Sequence, residues 1–260
     1  MRHILTAFLL VTLAACSSLP EEDKQKNATA EQLYTAAKAK LDDKAYDGAI
    51  KQYEKLQSRY PYGSYSQTAL LEMAYAYIKQ GEPDPAIVAC DRFIKEFPNN
   101  PRVDYAWYLK GLANFTAEDS TLKSVSGTDI SQHETIMPQD SFNAFKELLA
   151  RYPTSQYAPD ARLRMQFLAN ALAKHELLIA DFYLRRGANL AAVSRAQDIL
   201  TQYPATPASR DALLIMVKAY DAQGMSALRD DAQRVLDANG GAASATVLSQ
   251  SKKSWWQFWK

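Results

Sequence analysis

AIKQYEKLQSRYP, at residues 49–61, is the stretch of sequence that decides the fold, because related stretches occur three more times. Each is an amphipathic run with a small or apolar residue every three or four positions, which predicts a helix. Each closes on an aromatic residue and then a proline, which cannot continue the helix. The later copies end at Phe97-Pro98, Tyr152-Pro153 and Tyr203-Pro204. Such repetition predicts stacked helix pairs.

Composition supports a helical protein and gives no sign of a nucleic-acid partner. Nine glycines in 260 residues are too few for a turn-rich β protein, and the common residues favour helix. Without Arg2, which lies in a segment predicted to be removed, 29 basic residues balance 29 acidic ones. A nucleic-acid-binding protein normally shows a basic excess or stripe, so we expect no nucleic acid here.

The first residues have the pattern of an export signal that ends in a lipidation site. Residues 1–15 carry Arg2 and His3 and then an apolar run too short to span a bilayer, which predicts a signal peptide. Leu13-Ala14-Ala15-Cys16-Ser17 resembles the bacterial lipobox, in which the cysteine becomes acylated and N-terminal after cleavage. The alternative is an ordinary signal peptide with a chance cysteine.

An acylated Cys16 would hold the chain at a membrane without a transmembrane helix, since each buried methylene contributes about 0.8 kcal/mol. Ser17, rather than Asp, resembles lipoproteins sorted to the outer membrane, so we expect anchoring there on the periplasmic face. Residues 16–30 are predicted to be a lipidated flexible tether, because residues 18–30 are polar without apolar periodicity. Beyond this covalent lipid no cofactor is expected.

Repeats 1–3 are predicted over residues 31–157 and repeats 4–5 over residues 158–239. The second repeat follows the tetratricopeptide spacing of large, small and aromatic residues, with Leu70, Met73, Ala74, Tyr77, Ala86 and Pro98 at the expected positions. Cys90 falls on the apolar face of this repeat, which favours a buried structural thiol over a nucleophile. The sequence therefore predicts an all-α tetratricopeptide-repeat solenoid of five helix pairs.

Two departures from the repeat are expected. Residues 119–139 hold Ser, Thr, Gly and Asp with little apolar periodicity and are predicted to be an insertion in the third repeat, as a surface loop. Residues 159–186 contain no proline inside the run and no glycine, and keep a helical period throughout. They predict one long helix bridging the first three repeats to the last two.

A Trp-rich tail is predicted over residues 240–260, finishing KKSWWQFWK at 252–260. Trp and Lys suit a membrane interface, so the tail could be a membrane-surface or partner-docking tag. The other interpretation is a disordered tail, or one that folds back on the solenoid. The sequence does not choose between them.

The usual catalytic and metal-binding constellations are missing. His133 and His175 each precede a Glu, but neither has a second histidine four residues later, as a zinc helix requires. No glycine-rich phosphate loop, paired cysteines or Gly-x-Ser-x-Gly elbow occurs. We therefore expect neither an enzyme nor a metal site, and a structural or interface role for His175.

Tyrosines are the unusual surface feature, with fifteen in the chain. Tyr60, Tyr62 and Tyr65 cluster in the loop after the first helix pair, and most others occupy core positions of the repeats. Tyr combines a rigid apolar ring with a hydroxyl, which suits recognition surfaces. These three residues and Tyr34 are the substrate-binding candidates.

Several segments together resemble the BamD family, also called the competence lipoproteins, of the outer-membrane β-barrel assembly machinery. After the lipobox and helix pairs, they are Arg-Tyr-Pro-Tyr-Gly-Ser-Tyr-Ser-Gln at 59–67, Ala-Lys-His-Glu at 173–176, Arg-Gly-Ala at 186–188 and Ala-Ala-Val-Ser-Arg at 191–195. The resemblance covers essentially the whole chain. The Trp-rich tail is not part of the family pattern.

The resemblance implies a scaffold rather than an enzyme. It implies docking on the periplasmic domains of the β-barrel insertase BamA, contact with accessory lipoproteins of the complex, and binding of unfolded outer-membrane proteins. The N-terminal repeats would take an extended, aromatic-ended substrate segment and the C-terminal repeats would hold the insertase. Arg195 matches a family arginine and is the candidate interface charge. The alternatives are another periplasmic tetratricopeptide adaptor and a cell-wall enzyme.

Overall fold

The computed structural model describes residues 27–124 and 136–239. The predicted signal peptide, Cys16, residues 17–26 of the tether, residues 125–135 of the insertion and the tail lie outside these residues. Within them all regular structure is helical, which confirms the predicted all-α class. The helices of these two ranges are α1 (Ala30–Asp42), α2 (Tyr46–Arg59), α3 (Ser64–Gln80), α4 (Pro83–Glu96), α5 (Val103–Ser124), α6 (Ile136–Arg151), α7 (Ala158–Arg185), α8 (Asn189–Gln202), α9 (Ala208–Ala222) and α10 (Ser226–Ala238).

The aromatic-proline signal ends helices as predicted. The Tyr60 amide donates to the Leu56 carbonyl at 2.8 Å. The amides of Phe97, Tyr152 and Tyr203 likewise donate to the carbonyls four residues earlier. The proline that follows each of them has no amide proton to donate, so the helix stops there.

The turns inside the helix pairs use left-handed residues. Gly81 has φ of 79°, and the Glu82 amide beyond it donates to the Tyr77 carbonyl at 2.9 Å, which closes α3 with a Schellman turn. In the first pair Lys44 takes the equivalent position, with φ of 60°. A side chain there is strained, because left-handed backbone favours glycine.

Among the described residues, the first compact unit covers residues 27–117. In it α1 packs on α2 and α3, α2 on α3, and α3 on α4, so that a helix meets the next helix and the next but one. This is the contact pattern of stacked helical repeats. The core between α1, α2 and α3 holds Leu33, Ala37, Ala49, Tyr53, Leu56, Ala69 and Ala76, each no more than 1% exposed.

A second cluster of the first unit joins α3, α4 and α5. Ala74, Ala89, Cys90 and Leu109 are buried together there. Burial raises the pKa of the Cys90 thiol, with a smaller contribution from the charge of Asp91. The thiol is therefore held in its unreactive protonated form, as expected for a structural cysteine.

The first helix begins at a capping box. The Thr29 hydroxyl accepts from the Gln32 amide at 3.3 Å, and the Gln32 side-chain oxygen accepts from the Thr29 amide at 2.9 Å. The two bonds satisfy amides that the first turn of any helix leaves unpaired. Residues 27–29 are thereby connected to the folded unit.

The second compact unit covers residues 118–124 and 136–239 of the described chain. Here α6 packs on α7, α7 on α8 and α9, α8 on α9, and α9 on α10. The helix predicted over residues 159–186 is α7, shifted by one residue at both ends, and is about 42 Å long at 1.5 Å per residue. Within this unit it packs on α6, the second helix of the predicted third repeat, and on α8 and α9 of the later repeats.

The structure differs from the sequence-based division in two places. The boundary falls between residues 117 and 118, within α5, rather than after residue 157, because α6 packs on α7 in the second unit. The expected loop at 119–139 is also partly helical. After Gly111, no proline or glycine interrupts α5 before Ser124. Pro138 lies inside the first turn of α6, where the missing amide costs nothing.

Candidate functional site

Five side chains of the first unit form what we call the Glu72 cluster: Tyr34, Lys38, Tyr53, Tyr65 and Glu72. Tyr34 and Lys38 lie one turn apart on α1, and Tyr65 and Glu72 lie two turns apart on α3, so each pair shares a helix face. Tyr53 reaches them from α2. Fully buried alanines on all three helices, among them Ala37, Ala49 and Ala69, leave room for this close approach.

One carboxylate is the centre of the cluster. The Tyr34 hydroxyl donates to Oε1 of Glu72 at 3.1 Å, and the Tyr53 hydroxyl donates to Oε2. Lys38 Nζ lies 3.6 Å from Oε1 of Glu72 and 3.1 Å from Oδ1 of Asp42. The Glu72 side chain is only 14% exposed. A single acceptor group therefore connects α1, α2 and α3.

The two hydroxyls keep their protons. Burial raises the pKa of Tyr34 to about 12, and the negative charge and hydrogen bond of Glu72 add to the effect. Burial also raises the pKa of Tyr53, again with the Glu72 hydrogen bond as the next cause. At neutral pH both side chains are hydrogen-bond donors, which is what the shared carboxylate requires.

The tyrosine rings form a short row that leads from the core to the surface. The centroids of Tyr53 and Tyr34 are 6.1 Å apart, and those of Tyr34 and Tyr65 are 5.3 Å apart. Tyr53 is fully buried, whereas Tyr65 is 36% exposed. Tyr65 thus presents an aromatic ring to solvent that is supported from behind, the kind of surface on which another aromatic side chain can stack.

The other two loop tyrosines lie in different surroundings. The Tyr60 hydroxyl donates to the Ala28 carbonyl at 3.0 Å, so this ring secures the segment before α1. Tyr62 is 89% exposed. The loop itself is fixed, because the Ser66 hydroxyl donates to the Pro61 carbonyl at 2.9 Å and Gly63 supplies a φ of 105°.

Cationic groups flank the rings. Arg102, just before α5, reaches the Thr68 hydroxyl on α3 at 3.5 Å and lies over the Tyr105 ring at 5.7 Å. Its charge also slightly opposes the rise in the pKa of Tyr34, which indicates that it is near the cluster. Lys38, which contacts Glu72, is the other cation of this region.

In the second unit Arg195 pairs with a glutamate of the long helix. Arg195 Nη1 on α8 lies 3.1 Å from Oε2 of Glu176 on α7, and the side chains are 42% and 23% exposed. His175 precedes Glu176 and is half-buried. Burial raises the pKa of Tyr203, with the charge of Glu176 as the next cause. The Arg195 guanidinium is held in place while part of it remains open to solvent.

Among residues 27–124 and 136–239 no group of three or more His, Cys, Asp or Glu side chains could hold a metal ion. No helix in the same ranges is long and apolar enough to cross a membrane. The side chains of the Glu72 cluster offer hydrogen bonds, ring stacking and charge.

The sequence identified some of these residues and missed others. Of the four predicted tyrosines, the structure brings Tyr34 and Tyr65 together, uses Tyr60 to hold Ala28, and leaves Tyr62 exposed. The prediction missed Lys38 and Glu72 and assigned Tyr53 only to the core. The spacings 34/38 and 65/72 place these polar residues on shared helix faces and were the available signal.

Comparison with known proteins identifies the family. The profile of the family YfiO, described as outer membrane lipoprotein, matches residues 26–235. The chain is 37% identical to the outer membrane protein assembly factor BamD of Neisseria meningitidis serogroup B, over 98% of both chains. It is 36% identical to that of Xylella fastidiosa, over 91% of this chain and 80% of the relative. It is 34% identical to that of Haemophilus influenzae, over 95% of both.

Among solved structures, the crystal structure of MamA aligns with 80% of this chain and 88% of its own, at 19% identity and a TM-score of 0.39. A likeness this low adds nothing to the sequence relationship. The family profile covers most of the chain, and several relatives exceed 30% identity over nearly its whole length. The resemblance drawn from the lipobox and the repeat segments is confirmed, and the chain belongs to the BamD family of outer membrane lipoproteins.

Proposed function

We propose that this chain is an outer membrane protein assembly factor, which supports the folding and insertion of β-barrel proteins as a non-enzymatic scaffold. The observation that carries the proposal is its 37% identity, over 98% of both chains, to a protein of that name. The described residues add a surface of aromatic rings and charged side chains, which suits binding.

The scaffold would be attached to the outer membrane through acylated Cys16, on the periplasmic face. The lipobox at residues 13–17 and the family description as outer membrane lipoprotein support this attachment. The expected partners are the periplasmic domains of the insertase BamA, the accessory lipoproteins of the same complex and unfolded barrel proteins.

The Glu72 cluster is the proposed substrate site. Tyr65, 36% exposed and backed by the Tyr34 ring, offers a stacking surface for an aromatic residue of an extended segment. Tyr62, at 89% exposed, can extend the contact, and Tyr60 borders it. Because Glu72 fixes Tyr34 through a hydrogen bond, the surface is ordered before the substrate arrives, which lowers the entropy lost on binding.

Arg195 is the proposed insertase contact, with His175 nearby on the long helix. The guanidinium is 42% exposed while its pairing with Glu176 limits its conformations. An ordered arginine with remaining donors can form bidentate bonds with a partner carboxylate. His175 would contribute to the same interface through its position beside Glu176.

Copurification after mild detergent extraction tests the proposal. We expect the tagged full chain to recover the β-barrel insertase, and depletion of the chain to lower the amount of folded barrel proteins in the outer membrane. A tagged chain with Cys16→Ser controls for anchoring, since it should fractionate away from the membrane. Recovery of a cell-division or other envelope protein in place of the insertase would instead favour the alternative adaptor function.

A further inference from the structure

Helix α10 is the last helix in the described part of the chain, and only part of its apolar surface is covered. It packs on α9 through Ala232 and Leu236, which are 6% and 1% exposed. Leu228 and Val235 remain 47% and 49% exposed, and Met225 at the helix start remains 39% exposed. We call Met225, Leu228 and Val235 the α10 face.

The α10 face continues the buried stripe around the helix. Leu228 and Ala232 are four residues apart, and Leu228 and Val235 are seven apart. Exposed Leu228 and Val235 therefore lie on the same side of the helix as buried Ala232. The stripe is therefore wider than the contact with α9. A terminal repeat is normally polar on its outer side, which makes large exposed apolar residues in this position unusual.

The residues that follow α10 include an aromatic segment of the kind that could cover the α10 face. Three of the four tryptophans of the chain, with one phenylalanine, lie in Ser254-Trp255-Trp256-Gln257-Phe258-Trp259-Lys260. Fifteen residues, 239–253, connect this segment to the end of α10. They can span at most about 50 Å, and α10 is only about 20 Å long, so the segment can reach every part of the face.

We propose that the aromatic segment 254–260 of this chain docks on its own α10 face and covers Leu228 and Val235. The inference comes from the exposed stripe and the adjacent aromatic segment, and it does not rest on the proposed function. The segment would take the place that a capping helix takes at the end of other helical stacks.

Charge favours the same partner. Helix α10 carries Asp230, Asp231 and Asp237 against two arginines, whereas residues 252–260 carry three lysines and no acidic residue. Asp231 is three residues from Leu228 and four from Val235, so its carboxylate borders the α10 face. Arg234 already pairs with Asp231 but lies largely in solvent, which leaves the carboxylate accessible to a lysine of the segment.

Photocrosslinking in cells tests the docking. The full chain carries p-benzoylphenylalanine at position 228, and trypsin digestion after irradiation releases residues 254–260 as one peptide. We expect mass spectrometry to find this peptide joined to the peptide that contains position 228. The matched control places the photoprobe at Val88, which is 67% exposed on α4, and should not capture the segment.

Two further variants make the outcomes distinct. Adding Val235→Glu to the probe-bearing chain should lower capture about five-fold or more, because a carboxylate would be buried under the aromatic rings. Val88→Glu in its place should leave capture unchanged. A second copy of the chain, without the photoprobe and with Trp256→Phe, is expressed in the same cells. Its tail peptide is lighter, so capture between two chains can be told from capture within one chain. Capture of that lighter peptide, a lipid adduct, or no capture of the segment would each overturn the proposal.

Discussion

Tyr34 and Glu72 lie 38 positions apart in the sequence, and the Tyr34 hydroxyl donates to Oε1 of Glu72 at 3.1 Å. The second oxygen of the same carboxylate accepts from Tyr53, which is fully buried. A carboxylate at the edge of a proposed recognition surface therefore also holds three helices together. Its removal should affect both stability and binding.

Glu72→Ala should lower the free energy of unfolding by about 1–3 kcal/mol, because the buried Tyr53 hydroxyl loses its acceptor. Urea unfolding followed by circular dichroism measures the change. Glu54→Ala is the control, since its carboxylate accepts a hydrogen bond from Tyr77 at an exposed site, 3.3 Å long, and its loss should cost within about 0.5 kcal/mol. Equal losses for the two variants would contradict the structural role of Glu72.

Stability should fall in alkaline solution. The pKa of Tyr34 is about 12 in the folded protein and about 10 in an unfolded chain, so the folded state keeps a proton that the unfolded state releases. The contribution is complete below about pH 10 and is lost as the pH rises towards 12. Urea unfolding at several alkaline pH values should show this fall.

Tyr34→Phe should make that alkaline fall shallower, because the side chain with the raised pKa is gone. Tyr62→Phe, at a position 89% exposed, is the matched control and should leave the wild-type profile unchanged. A profile that is the same for wild type and Tyr34→Phe would show that the Tyr34 proton is not linked to folding.

Arg195→Glu should reduce copurification of the insertase about ten-fold, with circular dichroism unchanged. The ion pair with Glu176 is largely at the surface, where its loss changes stability by about 1 kcal/mol or less. A double variant, Arg195→Glu with Glu176→Arg, restores an ion pair while moving the cation. Its recovery of the insertase should remain low. Full recovery by the double variant would assign the effect to the ion pair rather than to a contact of Arg195.

A photocrosslinker at position 65 should capture unfolded barrel proteins more strongly than one at position 60, whose ring is held against the Ala28 carbonyl. Capture at position 62 should be intermediate, because Tyr62 is exposed but lies outside the supported row of rings. The control is position 51, which is exposed on α2 and has a 69% exposed side chain. Similar capture at positions 51 and 65 would remove Tyr65 from the substrate site.

Metabolic labelling with a palmitate analogue should modify Cys16 and be lost in Cys16→Ser. Cys90→Ser should keep the label, because the Cys90 thiol is buried with a raised pKa. Label that persists in Cys16→Ser would contradict the lipobox assignment.

The periodic parts of the sequence predicted the helices well, and long-range contacts decided the rest. Aromatic-proline pairs such as Tyr60-Pro61 and turn glycines such as Gly81 act within one turn of the chain, so they can be recognised locally. Pro138 misled the prediction, because the first turn of a helix tolerates proline. The spacing 65/72 places Glu72 on the helix face of Tyr65, but its partners Tyr34 and Tyr53 lie on two other helices, so the sequence did not identify Glu72 as their shared acceptor.

The hydrogen bond between Tyr60 and the Ala28 carbonyl would have a mechanical consequence if the chain is anchored at Cys16 as we propose. Any pull transmitted along the tether enters the folded unit at residues 27–29, where the Thr29 capping box and the Tyr60 hydroxyl hold it. Tension there bears on the first turn of α1, one turn before Tyr34. Tyr60 therefore fixes the point at which such a load would reach α1.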